Sequence, residues 1–261
     1  MINPDTENKR SLERAELSDD LEAIFKGIRN LVSGYREMGF DPPMLSRSAR
    51  NVLEKESAGG GVSDLQEESR SLASLESGLE GCRKCKLHAE RRAIVFGEGS
   101  PSARLVFVGE GPGREEDLAG RPFVGEAGEL LTRIIERGME IPRDEVYIAN
   151  IVKCRPPRNR DPEPDEIEAC LPVLKEQLRL IGPEVICCLG NIAGRSLLGS
   201  DFVVSRDRGR WRSYMGIPVM PTFHPAYIVR NPGMARELKG LVWQDVKEIM
   251  RKLGLQVKGR A

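Results

Sequence analysis

From residue 82 onward short apolar runs alternate with stretches of helical periodicity, and this alternation restricts the choice of fold more than any other feature of the chain. RLVFVGE (104–110), VYIANIV (146–152), EVICCLG (184–190) and PVMPTF (218–223) read as buried strands, while 126–138, 163–181, 191–198 and 233–253 read as helices. Continuous apolar runs, rather than period-two alternation, are what strands buried on both faces require. The expectation is an α/β fold with a central, mostly parallel, four-stranded sheet covered on both faces. Ligands of such sheets gather at the carboxyl ends of the strands. Three of the four predicted strands run into loops with unusual chemistry.

The first 80 residues differ in texture. Residues 19–39 place Leu21, Ile24, Ile28, Leu31 and Tyr35 at helical spacing, and 41–64 hold two prolines and three consecutive glycines. Residues 1–80 thus read as a helical extension and flexible linker, with 81–261 as the main domain. The extension is either a tail or a docking element for a protein partner. The total of 40 Lys and Arg equals that of Asp and Glu, but the split is uneven. Residues 1–80 carry 10 basic against 16 acidic side chains, and 81–261 carry 30 against 24. A mildly basic body suits local phosphate contacts rather than a strongly basic binding surface. No apolar run approaches the roughly 20 residues of a membrane helix, and the start lacks a signal-peptide pattern. A cytoplasmic, monomeric protein that does not meet a membrane is expected.

The six cysteines divide into two kinds. Cys187 and Cys188 lie within an apolar strand, where a free thiol packs as a small hydrophobe. Cys82 and Cys85 form a C-x2-C pair, with Cys154 and Cys170 isolated further on. In a cytosolic chain such a set suggests metal ligands rather than disulfides. Spacing leaves zinc, an iron–sulfur cluster and unconnected thiols all open.

Three loops carry candidate chemistry. In GEGPGREEDLAGRPFVGEAG (109–128), Gly109, Gly111 and Gly113 permit torsions other residues resist and let a ligand approach the backbone. Carboxylates gather there at Glu110, Glu115, Glu116 and Asp117, and Phe123 offers an aromatic face on which a flipped base could stack. Asn150 ends the second strand, where a buried amide either fixes a turn or reads the polar edge of a base. His224 opens HPAYIVRNP, a loop stiffened by Pro225 and Pro232. A structural histidine is one reading; Ile228, Val229 and Arg230 suit a wedge that fills the gap left by an extruded base.

Taken together, residues 109–128, ANIVKCRPPRNRDP (149–162) and TFHPAYIVRNP (222–232), with Cys82, Cys85, Cys154 and Cys170, resemble the uracil-DNA glycosylase superfamily, in its iron–sulfur group called family 4. The resemblance covers roughly residues 80–253. It implies a three-layer α/β/α sandwich, a [4Fe–4S] cluster on those four cysteines, and excision of uracil from single- or double-stranded DNA as the start of base excision repair. It also implies that Phe123 stacks on uracil, Asn150 bonds its polar edge, and His224 meets the ring oxygen that gains charge. The Gly109–Gly113 turn would hold the attacking water. The best-known branch of the superfamily has an aspartate where this chain has Gly111, which leaves Glu110 and Glu116 as the candidates to orient that water.

Overall fold

A computed structural model describes residues 71–257, together with the helical positions 27 and 30. The expected linker over 41–64, and all but two positions of the expected helix over 19–39, lie outside the described residues. The chain divides into two units, 1–61 and 62–261, and the second holds the fold.

The first element among its described residues is helix α1 (Leu72–Ser77), capped reciprocally by the side chains of Ser71 and Ser74. Upstream of the expected boundary at residue 81, Leu72, Leu75 and Leu79 pack with Phe96 and Val173. The sheet follows: β1 (Glu98–Gly99), β2 (Leu105–Gly109), β3 (Tyr147–Asn150), β4 (Val185–Leu189), β5 (Arg212–Tyr214) and β6 (Ile217–Thr222). Their order is β1-β3-β2-β4-β6-β5. The four central strands are parallel and are the four expected from the sequence. β1 and β5 pair antiparallel at the two edges, making six strands rather than four. Both edge strands are two or three residues long and neither is buried, so no apolar run announced them.

Helices α2 (Arg114–Ala119), α3 (Glu126–Arg133), α4 (Pro164–Ile181), α5 (Gly190–Leu198), α6 (Val204–Asp207), α7 (Pro225–Arg230) and α8 (Ala235–Lys252) complete the fold. Alternate strand residues Leu105, Phe107, Val185, Cys187 and Met220 share one core with Leu131 and Ile135 and with Val242, Val246 and Ile249 of α8. The intervening Val106, Val108, Ile186, Cys188 and Val219 are equally buried, so both faces of the sheet are covered. Period-two burial on both sides is the signature of the α/β/α sandwich. Cys187 and Cys188 are packing residues, as expected.

Two signals define α4, the helix that later matters most. Pro164 occupies its first turn, and the Glu166 carboxylate turns back to accept from the Glu163 amide at 2.7 Å. Gly182, at φ 59°, ends it in the left-handed region. β3 and β4 lie on opposite sides of β2, so the strand order reverses there, and a crevice opens at the carboxyl ends. Among the described residues no helix is long and apolar enough to cross a membrane.

Candidate active site

The crevice is a cavity of about 630 Å³ whose walls include Glu110, Gly111, Gly113, Phe123, Asn150, His224 and Arg230. All three chemically unusual loops therefore meet at one place, each following a parallel strand. The volume suits a nucleotide-sized ligand.

The glycines are required here for space rather than for torsion. None of Gly109, Gly111 and Gly113 lies at positive φ, so the torsional freedom that glycine permits is not used here. A Cβ on Gly109 would stand 2.5 Å from Asn150 Oδ1 and 2.6 Å from Phe123 Cζ. On Gly111 it would stand 2.7 Å from Val152 Cγ2, so a side chain at this position would have to displace the Val152 side chain just past β3.

Phe123 is the strained residue of the site, with φ 53°. A bulky residue in the left-handed region persists only where its surroundings impose it. Arg143 does so by donating from Nη2 to the carbonyls of Pro122 (2.9 Å) and Phe123 (3.2 Å). The Phe123 ring then lies over His224, with centroids 5.4 Å apart and planes at 28°.

His224 caps α7: its Nδ1 accepts from the Ala226 amide at 3.1 Å. An accepting Nδ1 carries no proton, so in the neutral ring Nε2 holds the hydrogen and is the donor. Burial, reinforced by the charge of Arg230, lowers the His224 pKa to about 4, so the ring is neutral at physiological pH. Gly190, at φ 85°, leaves room for it; a Cβ there would meet His224 Cβ at 3.0 Å.

Asn150 is 2% exposed, and its Oδ1 is buried with no hydrogen-bond partner among the described residues. Leaving a buried amide oxygen unpaired costs about 1–3 kcal/mol. Such a group persists where a ligand completes it.

The two candidate carboxylates separate cleanly. Glu110 lines the cavity, and burial, followed by the charge of Asp161, pushes its pKa up to about 7, against the opposing pull of Arg230. Glu116 is committed to the loop itself. Its Oε2 accepts from Gly113 N at 3.1 Å and its Oε1 from Val124 N and Gly125 N, each at 3.1 Å. With both oxygens occupied by three amides, Glu116 holds the loop closed and is a poor fit to the water-orienting role expected of it. Asp117 does similar work, accepting from Arg92 N and Ala93 N.

HPAYIVR is a helix, not an irregular loop, and this changes which side chains face outward. Ile228 is 2% exposed and packed in the main core, so it does not fit the expected wedge. Val229 is partly buried and Arg230 is exposed, its Nε donating to Ala226 O. Tyr227, stacked on Phe223, is the exposed aromatic of this helix.

Family comparison agrees with this geometry. The family model of the Uracil DNA glycosylase superfamily matches residues 96–247, well over half of the chain. The type-4 uracil-DNA glycosylase of Thermotoga maritima is 46% identical over 172 residues, covering 65% of this chain and 88% of that protein. The type-4 enzyme of Sulfurisphaera tokodaii is 43% identical over 196 residues, 72% of this chain and 87% of its own length. That of Saccharolobus solfataricus is 44% identical over 180 residues, 66% and 82% respectively. The chain belongs to the uracil-DNA glycosylase superfamily, in its type-4 group.

In this superfamily member the four dispersed cysteines surround one small space. Cys82, Cys85, Cys154 and Cys170 line a cavity of about 20 Å³ with Arg91 and Lys153. Arg91 Nη1 donates to Cys154 Sγ and the Lys153 amide to Cys170 Sγ, both at 3.3 Å. Among the described residues no three Cys, His, Asp or Glu side chains converge as the ligands of a single metal ion.

Several residues that build the site were not singled out in the sequence: Arg143, Lys153, Gln177, Gly190 and Tyr227. Only Gly190 carried a usable signal, a glycine ending a buried strand as Gly109 does.

Proposed function

We propose that this protein excises uracil from DNA by hydrolysing the N-glycosidic bond of a flipped-out nucleotide, the first step of base excision repair. The observation that carries this reading is the unpaired Asn150 Oδ1, set in the same cavity as the Phe123 ring and the Nε2–H of His224. Uracil presents an N–H donor between two carbonyl acceptors, and an amide side chain that accepts from that N–H and donates beside it is its complement. Cytosine reverses part of the pattern, leaving groups unpaired, and is rejected on that account. Phe123 supplies the stacking face.

Bond cleavage leaves an oxocarbenium-like sugar and an anionic base, so catalysis depends on stabilising the leaving group. A neutral His224 donating from Nε2 to the uracil oxygen does this without first having to lose a proton. Water then adds to the sugar carbon, and Glu110, ionised above about pH 7, accepts its proton. Glu116 positions the loop. Tyr227, Val229 and Arg230 are the side chains of α7 placed to meet DNA.

The donor set of the second cavity fits an iron–sulfur cluster. Its four thiols stand around a space rather than on a point, with N–H donors and a guanidinium directed at the sulfurs. Cys82, Cys85, Cys154 and Cys170 would hold a [4Fe–4S] cluster, which would supply a covalent tie between three chain segments. The acidic residues 1–80 are assigned to an extension available to a protein partner, except that α1 packs with the catalytic unit, which is taken to act as a monomer from Ser71 onward.

The test is incubation with labelled oligonucleotides, single- and double-stranded, carrying one uracil, with thymine and cytosine controls, followed by alkali. Cleavage confined to the uracil strand is expected. Failure to cleave uracil in protein that retains its cluster would refute the reading.

A further inference from the structure

Lys153 is among the largest fully buried side chains of the described residues, and it lines the cysteine cavity while its ammonium reaches back to the residue that ends β3. Its Nζ donates to the Asn150 carbonyl at 2.9 Å and to Gln177 Oε1 at 2.6 Å, both neutral groups. Burying an ammonium without a carboxylate is costly, and methionine would fill the same space without that cost. A retained charge at such a position therefore needs a reason beyond packing.

The sheet supplies one. β1 pairs with β3 only at Glu98↔Ile148 and Gly99↔Tyr147, so the ladder on that edge stops two residues short of Asn150. Beyond it the chain stays beside the segment after β3, the Val95 amide bonding the Lys153 carbonyl at 2.8 Å, but the regular pairing is broken. The missing ladder is replaced by side chains. Gln177 Nε2 donates to Phe96 O and to Tyr147 Oη, each at 3.0 Å, which fixes Gln177 Oε1 toward Lys153. Lys153 completes the bridge at the Asn150 carbonyl. The same residue donates its own amide to Cys170 Sγ and precedes Cys154 in the chain. Gln177 and Cys170 stand two turns apart on α4.

We propose that Lys153 is the positioning residue that holds the backbone of Asn150 in register with the cysteine site, so that base selection depends on a bridge running from α4 through Gln177 and Lys153 to the end of β3. This rests on the reading of Asn150 as the residue that recognises uracil. Lys153 touches no substrate; it acts through Asn150.

A double-mutant cycle tests it on the full-length protein, with wild type, Asn150→Ala, Lys153→Met and the double variant. Single-turnover uracil release is measured in each, with binding to DNA carrying a cleavage-resistant 2′-fluorinated deoxyuridine against thymine, and the visible absorption of the cluster. Lys153→Met is expected to retain the cluster, to lose about tenfold or more in rate, and to lose preference for the uracil analogue. In the double variant the losses are expected not to multiply, since residues acting through one group are non-additive. Lys153→Arg, which keeps a buried donor, is expected to recover part of the preference. Lys153→Met within twofold of wild type, losses that multiply, or loss of cluster absorption restored by Lys153→Arg would each overturn the inference. If Lys153→Met does not fold, Gln177→Met takes its place in the cycle under the same criteria. A wild-type protein that releases no uracil would fail the functional reading instead, which separates the two.

Discussion

The two cavities of this molecule are built by opposite rules. Beside the cysteine cavity several polar groups are already engaged: Arg91 and the Lys153 amide bond two of the sulfurs, and Gln177, which bonds the Lys153 ammonium, has both its amide donor and its acceptor in use. In the larger cavity the groups are left open, with Asn150 Oδ1 unpaired and the Glu110 carboxyl held by burial near a pKa of 7. A polar network that is fully satisfied rigidifies a fold, and one that is incomplete in its centre is poised for a ligand. On the proposed reading, the difference puts chemistry in the larger cavity and support in the cysteine cavity. The line between them runs within one loop, because Glu116 follows Glu110 by six residues yet is bonded as part of the support.

The largest break in this comparison should come from His224→Ala. Removing one donor to a developing anion typically costs 10²–10³ in rate, or ~3–4 kcal/mol. The single-turnover rate should fall by that factor, with the thermal midpoint little changed, because the lost cap to Ala226 is a single hydrogen bond. Cys154→Ala should do the reverse in kind. Loss of the proposed cluster's tie should cost about 2–5 kcal/mol, as in comparable cross-links, roughly 4–20 °C in the midpoint of a chain this size. Loss of visible absorption and a lowered midpoint in a thermal scan are the expected results, with activity falling only as far as Asn150 is displaced.

Glu116→Ala sharpens the comparison within one loop. Three amides lose their acceptor, and with each partly exposed the destabilisation should total about 2 kcal/mol, read from denaturant midpoints. Smallest in magnitude and most specific is Glu110→Gln. A carboxyl whose folded pKa is raised favours the native state fully below its unfolded value near 4.5, and that advantage is lost as pH rises through about 7. The rate depends on the ionised form and so should increase over the same interval. Glu110→Gln should flatten both profiles and reduce the rate at pH 8 by about tenfold, within the usual range for a general base. His224, deprotonated above about pH 4, should add no inflection there.

How far these regions were legible in the sequence follows from the kind of force that builds each. The four parallel strands were readable because burial on both faces demands unbroken apolar runs such as LVFVG and VICCL. The edges β1 and β5 were not, since two or three half-exposed residues leave no pattern. His224 and Asn150 were visible as unusual residues at strand ends and Phe123 as an aromatic in a glycine-rich loop, and the fold does bring them together. Glu116 was misjudged because a carboxylate that caps amides looks, in sequence, like one that meets solvent or substrate. Ile228 was misjudged because HPAYIVR was taken as a rigid loop. His224 at the N-cap and Pro225 in the first turn instead start a helix, which turns Ile228 inward and Tyr227 out. Lys153 gave no sign, because its meaning depends on Gln177, 24 residues away, and on where β1 stops pairing.

The measurement that bears most directly on the account is the base preference of Asn150→Asp, followed as release of uracil and of cytosine from matched oligonucleotides. A carboxylate accepts but does not donate, so it loses the bond to the uracil carbonyl and gains one from the cytosine amino group. The account predicts a steep fall in uracil release with cytosine release becoming detectable. Uracil selectivity equal to that of the wild type would contradict it.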